Sequence, residues 1–146
     1  KISSSQAHQM VLTSSLMHTR PERAEQRLAE LKKALFEHDW TTSYQLCWNE
    51  FWDMHALFET SAPHFGYLGK ESMGVLSSLR ESWNEKGDGP LVTMDAGPNI
   101  HLLFRTEQKE EAIKLKHQLR KFSFLRNRFA SSFPMSANYF LVNLRD

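Results

Sequence analysis

Cysteine is almost absent: the 146 residues carry one, Cys47. A single thiol cannot bridge within the chain, so a disulfide scaffold is excluded and a reducing, cytoplasmic setting is expected. Long apolar runs are lacking too. None approaches the roughly 20 residues that span a bilayer, which argues against a membrane partner. Nor does one sign of charge dominate. The formal net charge is +1, far from the basic surface that nucleic acid or an anionic membrane selects. Internal repeats and low-complexity tracts are missing, and the first residues, Lys1-Ile2-Ser3-Ser4-Ser5, show neither an initiator Met nor a signal-peptide pattern. They read as a chain picked up partway through a longer protein. What is present, 40% apolar and 24% charged residues, is the balance of a soluble globular domain. The length suffices for one domain with a core and falls short of two ordinary ones.

Residues 3–17 are rich in Ser and Gln before Met10, Leu12 and Leu16, and read as loop passing into a short helix. Pro21 suits a first helical turn, Glu22 and Glu25 suit its positive end, and Ala24, Leu28, Leu31 and Leu35 recur at helical spacing. Arg23, Arg27, Glu30 and Lys33 fall elsewhere on that wheel, and the helix should end near His38-Asp39. Thr41, Thr42 or Ser43 can cap the next helix, whose stripe is Tyr44, Cys47 or Trp48, Phe51, His55 and Phe58. Ser61-Ala62-Pro63 stops it. A third helix is expected over 70–84 with Met73, Leu76, Leu79 and Trp83 inward, followed by the turn Gly87-Asp88-Gly89-Pro90. Leu91-Val92-Thr93-Met94 and Ile100-His101-Leu102-Leu103-Phe104 then predict two strands joined by Asp95-Ala96-Gly97-Pro98-Asn99. A helix over 107–121 carries Ile113, Leu115 and Leu119; Pro134 reads as a breaker and Tyr139-Phe140-Leu141-Val142 as a last strand. The fold class is α+β: one domain over 1–146, with several helices packed on a small, mostly antiparallel sheet.

Seven histidines invite a metal site. His8, His18, His38, His55, His64, His101 and His117 are scattered, without the close pairing on one helix face that zinc requires. No metal site is therefore expected. Cys47, beside Trp48 on an apolar face, reads as an inert buried thiol. The aromatic residues fall mostly on helix stripes and read as core. Two segments carry more. Ser3-Ser4-Ser5 either caps a helix or offers hydroxyls to phosphate oxygens. Asp95, at a strand end before small residues, either closes its own turn or stands as a general base.

Thr93-Met94-Asp95-Ala96-Gly97-Pro98-Asn99 is similar to the T-[FM]-D-A-G-P-N segment of mevalonate diphosphate decarboxylases. Met54-His55-Ala56 resembles their [FM]-H-A, and Ser61-Ala62-Pro63-His64-Phe65-Gly66-Tyr67-Leu68 resembles their S-x-P-P-[FI]-x-Y-[LM], with Glu71-Ser72 at the spacing of bacterial members. Ile2-Ser3-Ser4 matches V-S-S, and Thr13-Ser14 a Thr-Ser beyond it. The blocks lie in family order over roughly residues 2–105, and the tail beyond Lys121 shows no convincing resemblance. The family belongs to the galactokinase, homoserine kinase, mevalonate kinase and phosphomevalonate kinase superfamily, whose two-domain members hold the active site in a cleft. The serine-rich ATP loop of the N-terminal domain does not occur here, so the resemblance makes this chain the C-terminal half, inactive alone.

The implied reaction is ATP- and Mg²⁺-dependent phosphorylation of the tertiary hydroxyl of mevalonate 5-diphosphate, then loss of phosphate and carbon dioxide to give isopentenyl diphosphate. The resemblance assigns Asp95 the catalytic role and places Ser4 on the substrate diphosphate. Ala96 and Gly97 would leave room for substrate, and Asn99 would fix the turn. ATP and Mg²⁺ would be held mainly by the N-terminal domain, which is the expected partner, and homodimers are common in the family. One stretch departs from the family. Where it reads V-S-S-[TR]-x-G-M, this chain has Ile2-Ser3-Ser4-Ser5-Gln6-Ala7-His8, so Ser5 and His8 stand at the substrate-gripping positions. That keeps a different 5-substituent open, as in mevalonate 5-phosphate, for a related decarboxylase or kinase. A non-catalytic helical interaction domain, in which Asp95 only closes a turn, is the alternative of another class.

Overall fold

The computed structural model of the chain describes residues 2–119, 122, 129–136 and 139–144, the side chains of residue 4 and of 129–136 excepted. The chain is α+β and divides into two compact units, residues 1–67 with 95–97, and residues 68–94 with 98–146.

The first unit is helical. Its helix α1 (Ser4–Met10) comes at once rather than after a loop, because Ser3 and Gln6 form a capping box. The Ser3 hydroxyl accepts from the Gln6 N–H at 3.3 Å, and the Gln6 side chain accepts from the Ser3 N–H at 3.0 Å. A 3₁₀ turn, Val11–Thr13, follows. Helix α2 (Arg20–Phe36) starts with Pro21 in its first turn, as expected. Helix α3 (Trp40–Glu59) is capped by Asp39, not by Thr41, Thr42 or Ser43; the Asp39 carboxylate accepts from the Thr42 N–H at 3.0 Å. A carboxylate two residues before Thr41 reaches that N–H, and its charge suits the helix start.

The face that α2 turns to α3 differs from the apolar stripe predicted. Leu28 is 51% exposed, and Arg20, Arg23 and Arg27 take the inner positions. Arg23 grips Asp53 with Nε and Nη2 at 3.1 and 2.7 Å, while Arg27 bridges Glu50 and Asp53 at 2.6 and 2.9 Å. Arg20 pairs with Glu50. Hydrogen bonds from these guanidinium groups hold the Asp53 carboxyl below its ordinary pKa against the opposing effect of burial, which is the largest single influence. Arginine stems cover apolar surface while their heads pair, so a helix face of charge packs as well as one of leucine.

The second unit is a sheet with two helices. Helix α4 (Lys70–Lys86) buries Val75, Leu76, Leu79 and Trp83, and ends at Gly87 in the left-handed region, φ 66°. Met73, expected inward, is 44% exposed; Ser72 and Val75 occupy that side. Strands β1 (Leu91–Met94) and β2 (Ile100–Arg105) pair antiparallel, with Leu91 opposite Leu103 and Met94 opposite Ile100. Alternation on β2 buries Ile100, Leu102 and Phe104. A 3₁₀ turn, Thr106–Gln108, precedes α5 (Lys109–Leu119), which buries Leu115 and Leu119 and leaves Ile113 exposed. Residues 120 and 121 of the predicted helix lie outside the described residues. Strands β3 (Phe129–Ser136) and β4 (Tyr139–Leu144) complete an antiparallel sheet in the order β1-β2-β4-β3. Pro134 therefore does not break the tail. It lies in β3, at the end of the strand order, opposite Phe140 and next to an irregularity in register, a position where proline is tolerated. No described helix is long and apolar enough to cross a membrane.

Candidate active site

In chain order the turn 95–99 leaves the last residue of β1 and returns to β2. Asp95 is exposed, Ala96 half-buried and Gly97 buried. A Cβ on Gly97 would stand 2.9 Å from Asp95 Oδ1. The glycine thus clears space for the Asp95 carboxylate itself, a close approach that a side chain would obstruct.

The charge of Asp95 acts on two residues elsewhere in the first unit. His55, on α3, is 3% exposed and is boxed by aromatic edges. Its ring centroid lies 6.4 Å from Phe51, 5.1 Å from Phe58 and 6.4 Å from Tyr67, with interplanar angles of 83°, 76° and 84°. Burial pushes the imidazole pKa below its ordinary value, while the backbone of Asp95 and then its charge pull the other way. Tyr67 donates from its hydroxyl to the Ile2 carbonyl at 3.3 Å, tying the loop after α3 to the residue before the α1 cap. Burial, and then the charge of Asp95, raise its phenol pKa. Near pH 7 both rings are therefore neutral.

The loop 60–67 that carries Tyr67 is pinned by polar contacts. The Ser61 hydroxyl donates to the Leu57 carbonyl at 2.6 Å, the Ala62 N–H to Thr13 Oγ1 at 2.8 Å, and the Phe65 N–H to the Phe58 carbonyl at 3.1 Å. The hydroxyls of Ser14 and Thr60 meet at 2.6 Å. This explains why a Thr-Ser pair early in the chain accompanies the later motif: each braces the other.

Of the residues expected to bind substrate, His8 and Ala96 line one cleft of about 280 Å³, with Arg20, Met54 and Phe58 among its walls. Ala96 also packs on the buried cluster of Ala7, Val11, Leu57, Phe58 and Phe65. Ala7, in place of the family glycine, is 1% exposed and part of that core. Ser5 is exposed on α1 and does not line the cleft. Ser4 lies in the first turn of α1, and its side chain is outside the described residues. Cys47 is half-buried, and burial pushes its thiol up to about 11, which fits an inert side chain. Among the described residues no three His, Cys, Asp or Glu side chains gather to hold a metal.

His55 and Tyr67 stand within the recognised blocks, yet no role followed for either from the sequence. Helical spacing marked His55 as core, and the one available signal was a polar ring on an otherwise apolar stripe.

Comparison with known proteins follows the same residues. The family model described as mevalonate 5-diphosphate decarboxylase C-terminal domain matches residues 1–138, so the match runs past Lys121, where the motifs gave no resemblance. A mevalonate diphosphate decarboxylase from Legionella pneumophila is similar at 43% identity and TM-score 0.78, over 96% of this chain and 40% of that one. The enzyme from Staphylococcus aureus is similar at 25% identity and TM-score 0.72, over 99% and 40%. The structure of MDDEF in complex with MVAPP, AMPPCP and magnesium shares the fold at 24% identity and TM-score 0.71, over 84% and 37%. This chain thus spans about 40% of the length of such relatives.

Proposed function

The chain belongs to the mevalonate 5-diphosphate decarboxylase C-terminal domain family, and from that membership we propose that it supplies the Asp95-bearing half of an enzyme converting mevalonate 5-diphosphate to isopentenyl diphosphate. The enzyme is a carbon–carbon lyase of the mevalonate pathway, working in the cytoplasm. An N-terminal domain outside this chain binds ATP and Mg²⁺; the described residues do not form a metal cradle. Alone, the chain is inactive. Whether two copies pair is read from the oligomeric state of the whole enzyme.

A tertiary hydroxyl is a weak nucleophile, and its attack on the terminal phosphate of ATP needs a group to take its proton or aim it in line. Asp95 fills that role from an exposed position, with space for its carboxylate cleared by Gly97. The same negative charge then favours positive charge developing at the tertiary carbon as phosphate and carbon dioxide leave. Ser4, Ser5 and His8, on α1, meet the 5-diphosphate, while Ala96 and Gly97 keep the approach open. The observation that carries this reading is the place of Asp95: an exposed residue directly after β1, with Gly97 clearing space for its carboxylate.

The test is Asp95→Ala in the full-length enzyme, following phosphate release with ATP and mevalonate 5-diphosphate. Turnover should fall by about 10²- to 10⁴-fold, the usual worth of a positioned proton acceptor. Near-normal turnover would refute the assignment. A second reading, that the substrate is mevalonate 5-phosphate, is favoured by His8 lining the cleft with Ala96 where the family has Met. Comparing kcat/KM for the two substrates separates them.

A further inference from the structure

The loop 60–67 takes no part in the chemistry proposed for Asp95, yet its polar atoms reach back to the first residues of the chain. The Ala62 N–H donates to Thr13 Oγ1 at 2.8 Å and the hydroxyls of Ser14 and Thr60 meet at 2.6 Å, both beyond the end of α1. The Tyr67 hydroxyl donates to the Ile2 carbonyl at 3.3 Å and so holds the start of α1. Its ring is wedged edge-on among aromatic neighbours. Its centroid lies 6.4 Å from His55, 5.3 Å from Phe58 and 5.9 Å from Phe65, at interplanar angles of 84°, 87° and 90°. Phenylalanine would make the same edge contacts, so core packing does not account for the hydroxyl. The atom it holds stands ahead of the helix ladder, which begins with the Ala7 N–H donating to the Ser3 carbonyl at 2.9 Å. Ile2, Tyr67 and Ala96 all pack on the buried cluster of Ala7, Val11, Leu57, Phe58 and Phe65. One cluster therefore seats the entry of α1, the loop and the residue after Asp95.

We propose that Tyr67 is a positioning residue for substrate affinity: its hydroxyl fixes the entry of α1 and, with it, the placement of Ser4, Ser5 and His8 against the 5-diphosphate. The capping box of Ser3 and Gln6 shapes the first turn, but both of its partners lie within the segment itself. It leaves open where that segment stands on the core. The Tyr67 bond supplies this, because His55 and Phe58, which hold its ring, belong to the long helix α3. His8, further along α1, lines the same cleft as Ala96, so a shift at Ile2 carries to the cleft wall. Tyr67 acts through the residues it places, not by touching substrate. The inference rests on the reading that the α1 side chains meet the 5-diphosphate.

The experiment compares steady-state kinetics of the full-length enzyme carrying Tyr67→Phe with those of Ser4→Ala, Ser5→Ala and His8→Ala. Tyr67→Phe should raise KM for mevalonate 5-diphosphate by about 3- to 10-fold, the effect of one lost neutral hydrogen bond. KM for ATP and kcat should stay within about 2-fold, which a general loosening of the fold would not allow. On a background combining the three α1 substitutions, Tyr67→Phe should change kcat/KM by less than about 2-fold, since the groups it places are gone. Melting temperatures give a second measure. At a fixed concentration of mevalonate 5-diphosphate the rise over the ligand-free value should be smaller in Tyr67→Phe than in the parent. An unchanged KM for mevalonate 5-diphosphate in Tyr67→Phe, beside raised values in the α1 variants, would overturn the proposal alone. So would a matching rise in KM for ATP, an equal ligand-induced rise in melting temperature, or an undiminished effect on the triple background. Unchanged KM in all three α1 variants would sink the reading beneath, and the proposal with it.

Discussion

Two turns of nearly the same composition flank β1 in the sequence, Gly87-Asp88-Gly89-Pro90 before it and Asp95-Ala96-Gly97-Pro98-Asn99 after it. In the first, the carboxylate is consumed by the fold. Asp88 accepts from the Gly89 N–H at 2.8 Å, from Gln108 Nε2 at 3.1 Å and from Arg105 Nη2 at 2.6 Å. The Pro90 carbonyl accepts from the Trp83 indole at 2.7 Å. In the second, Asp95 is exposed, and its charge acts on a buried imidazole, His55, and on the phenol of Tyr67. The glycines differ in the same sense. A Cβ on Gly89 would strike the Trp83 ring at 2.9 Å, whereas one on Gly97 would strike the Asp95 carboxylate at 2.9 Å. One turn spends its polar atoms on stability. The other keeps a carboxylate facing outward.

The sharpest way to break this contrast is to neutralise each aspartate. Asp95→Asn should cost about 10²- to 10⁴-fold in turnover with little change in melting temperature. Asp88→Asn should cost about 1 kcal/mol of stability, since the Arg105 pair is partly solvent-screened, and leave turnover per folded molecule within about 2-fold. Similar turnover losses in both would erase the distinction. The glycines give the next effect. Gly97→Ala displaces only the end of a flexible side chain, so the protein should stay folded while turnover falls about 10- to 100-fold. Gly89→Ala meets a buried indole that cannot swing away. It should cost about 1–3 kcal/mol, read as a lower urea midpoint, with turnover per folded molecule retained.

Much of this was legible in the sequence, and the rest failed for identifiable reasons. Strands β1 and β2 and the turn between them followed from two apolar runs around turn residues. The inner face of α2 did not, because charged residues were assigned to solvent; Arg23 and Arg27 gain their partners from Glu50 and Asp53 on another helix, which no local window contains. Pro134 misled for a similar reason, since a breaker in isolation is acceptable on a sheet edge. Motif resemblance picked out Asp95 where turn chemistry alone was ambiguous with Asp88. It gave His55 no role, because the influence of Asp95 on that ring joins a helix to a turn remote in sequence. Nor could it tell that the space cleared by Gly97 serves the carboxylate beside it.

The smallest expected effect is on the pH dependence of stability, and it belongs to one turn only. The pKa of His55 in the folded protein lies below its ordinary 6.5 because the ring is buried. As pH falls through 6.5 the unfolded chain takes up a proton at this position and the folded one resists. The unfolded state then binds more protons, so stability declines as pH is lowered and this loss is absent above 6.5. Melting temperatures of the full-length enzyme from about pH 8 to about pH 5 should therefore fall less steeply in His55→Phe than in the parent. Asp95→Asn should steepen the fall, because the charge it removes favours protonation of the ring. Asp88→Asn should leave the His55-dependent part of the slope unchanged, since Asp88 is not among the groups acting on that ring. An unchanged slope in His55→Phe would mean that the imidazole titrates alike in the folded and unfolded chain.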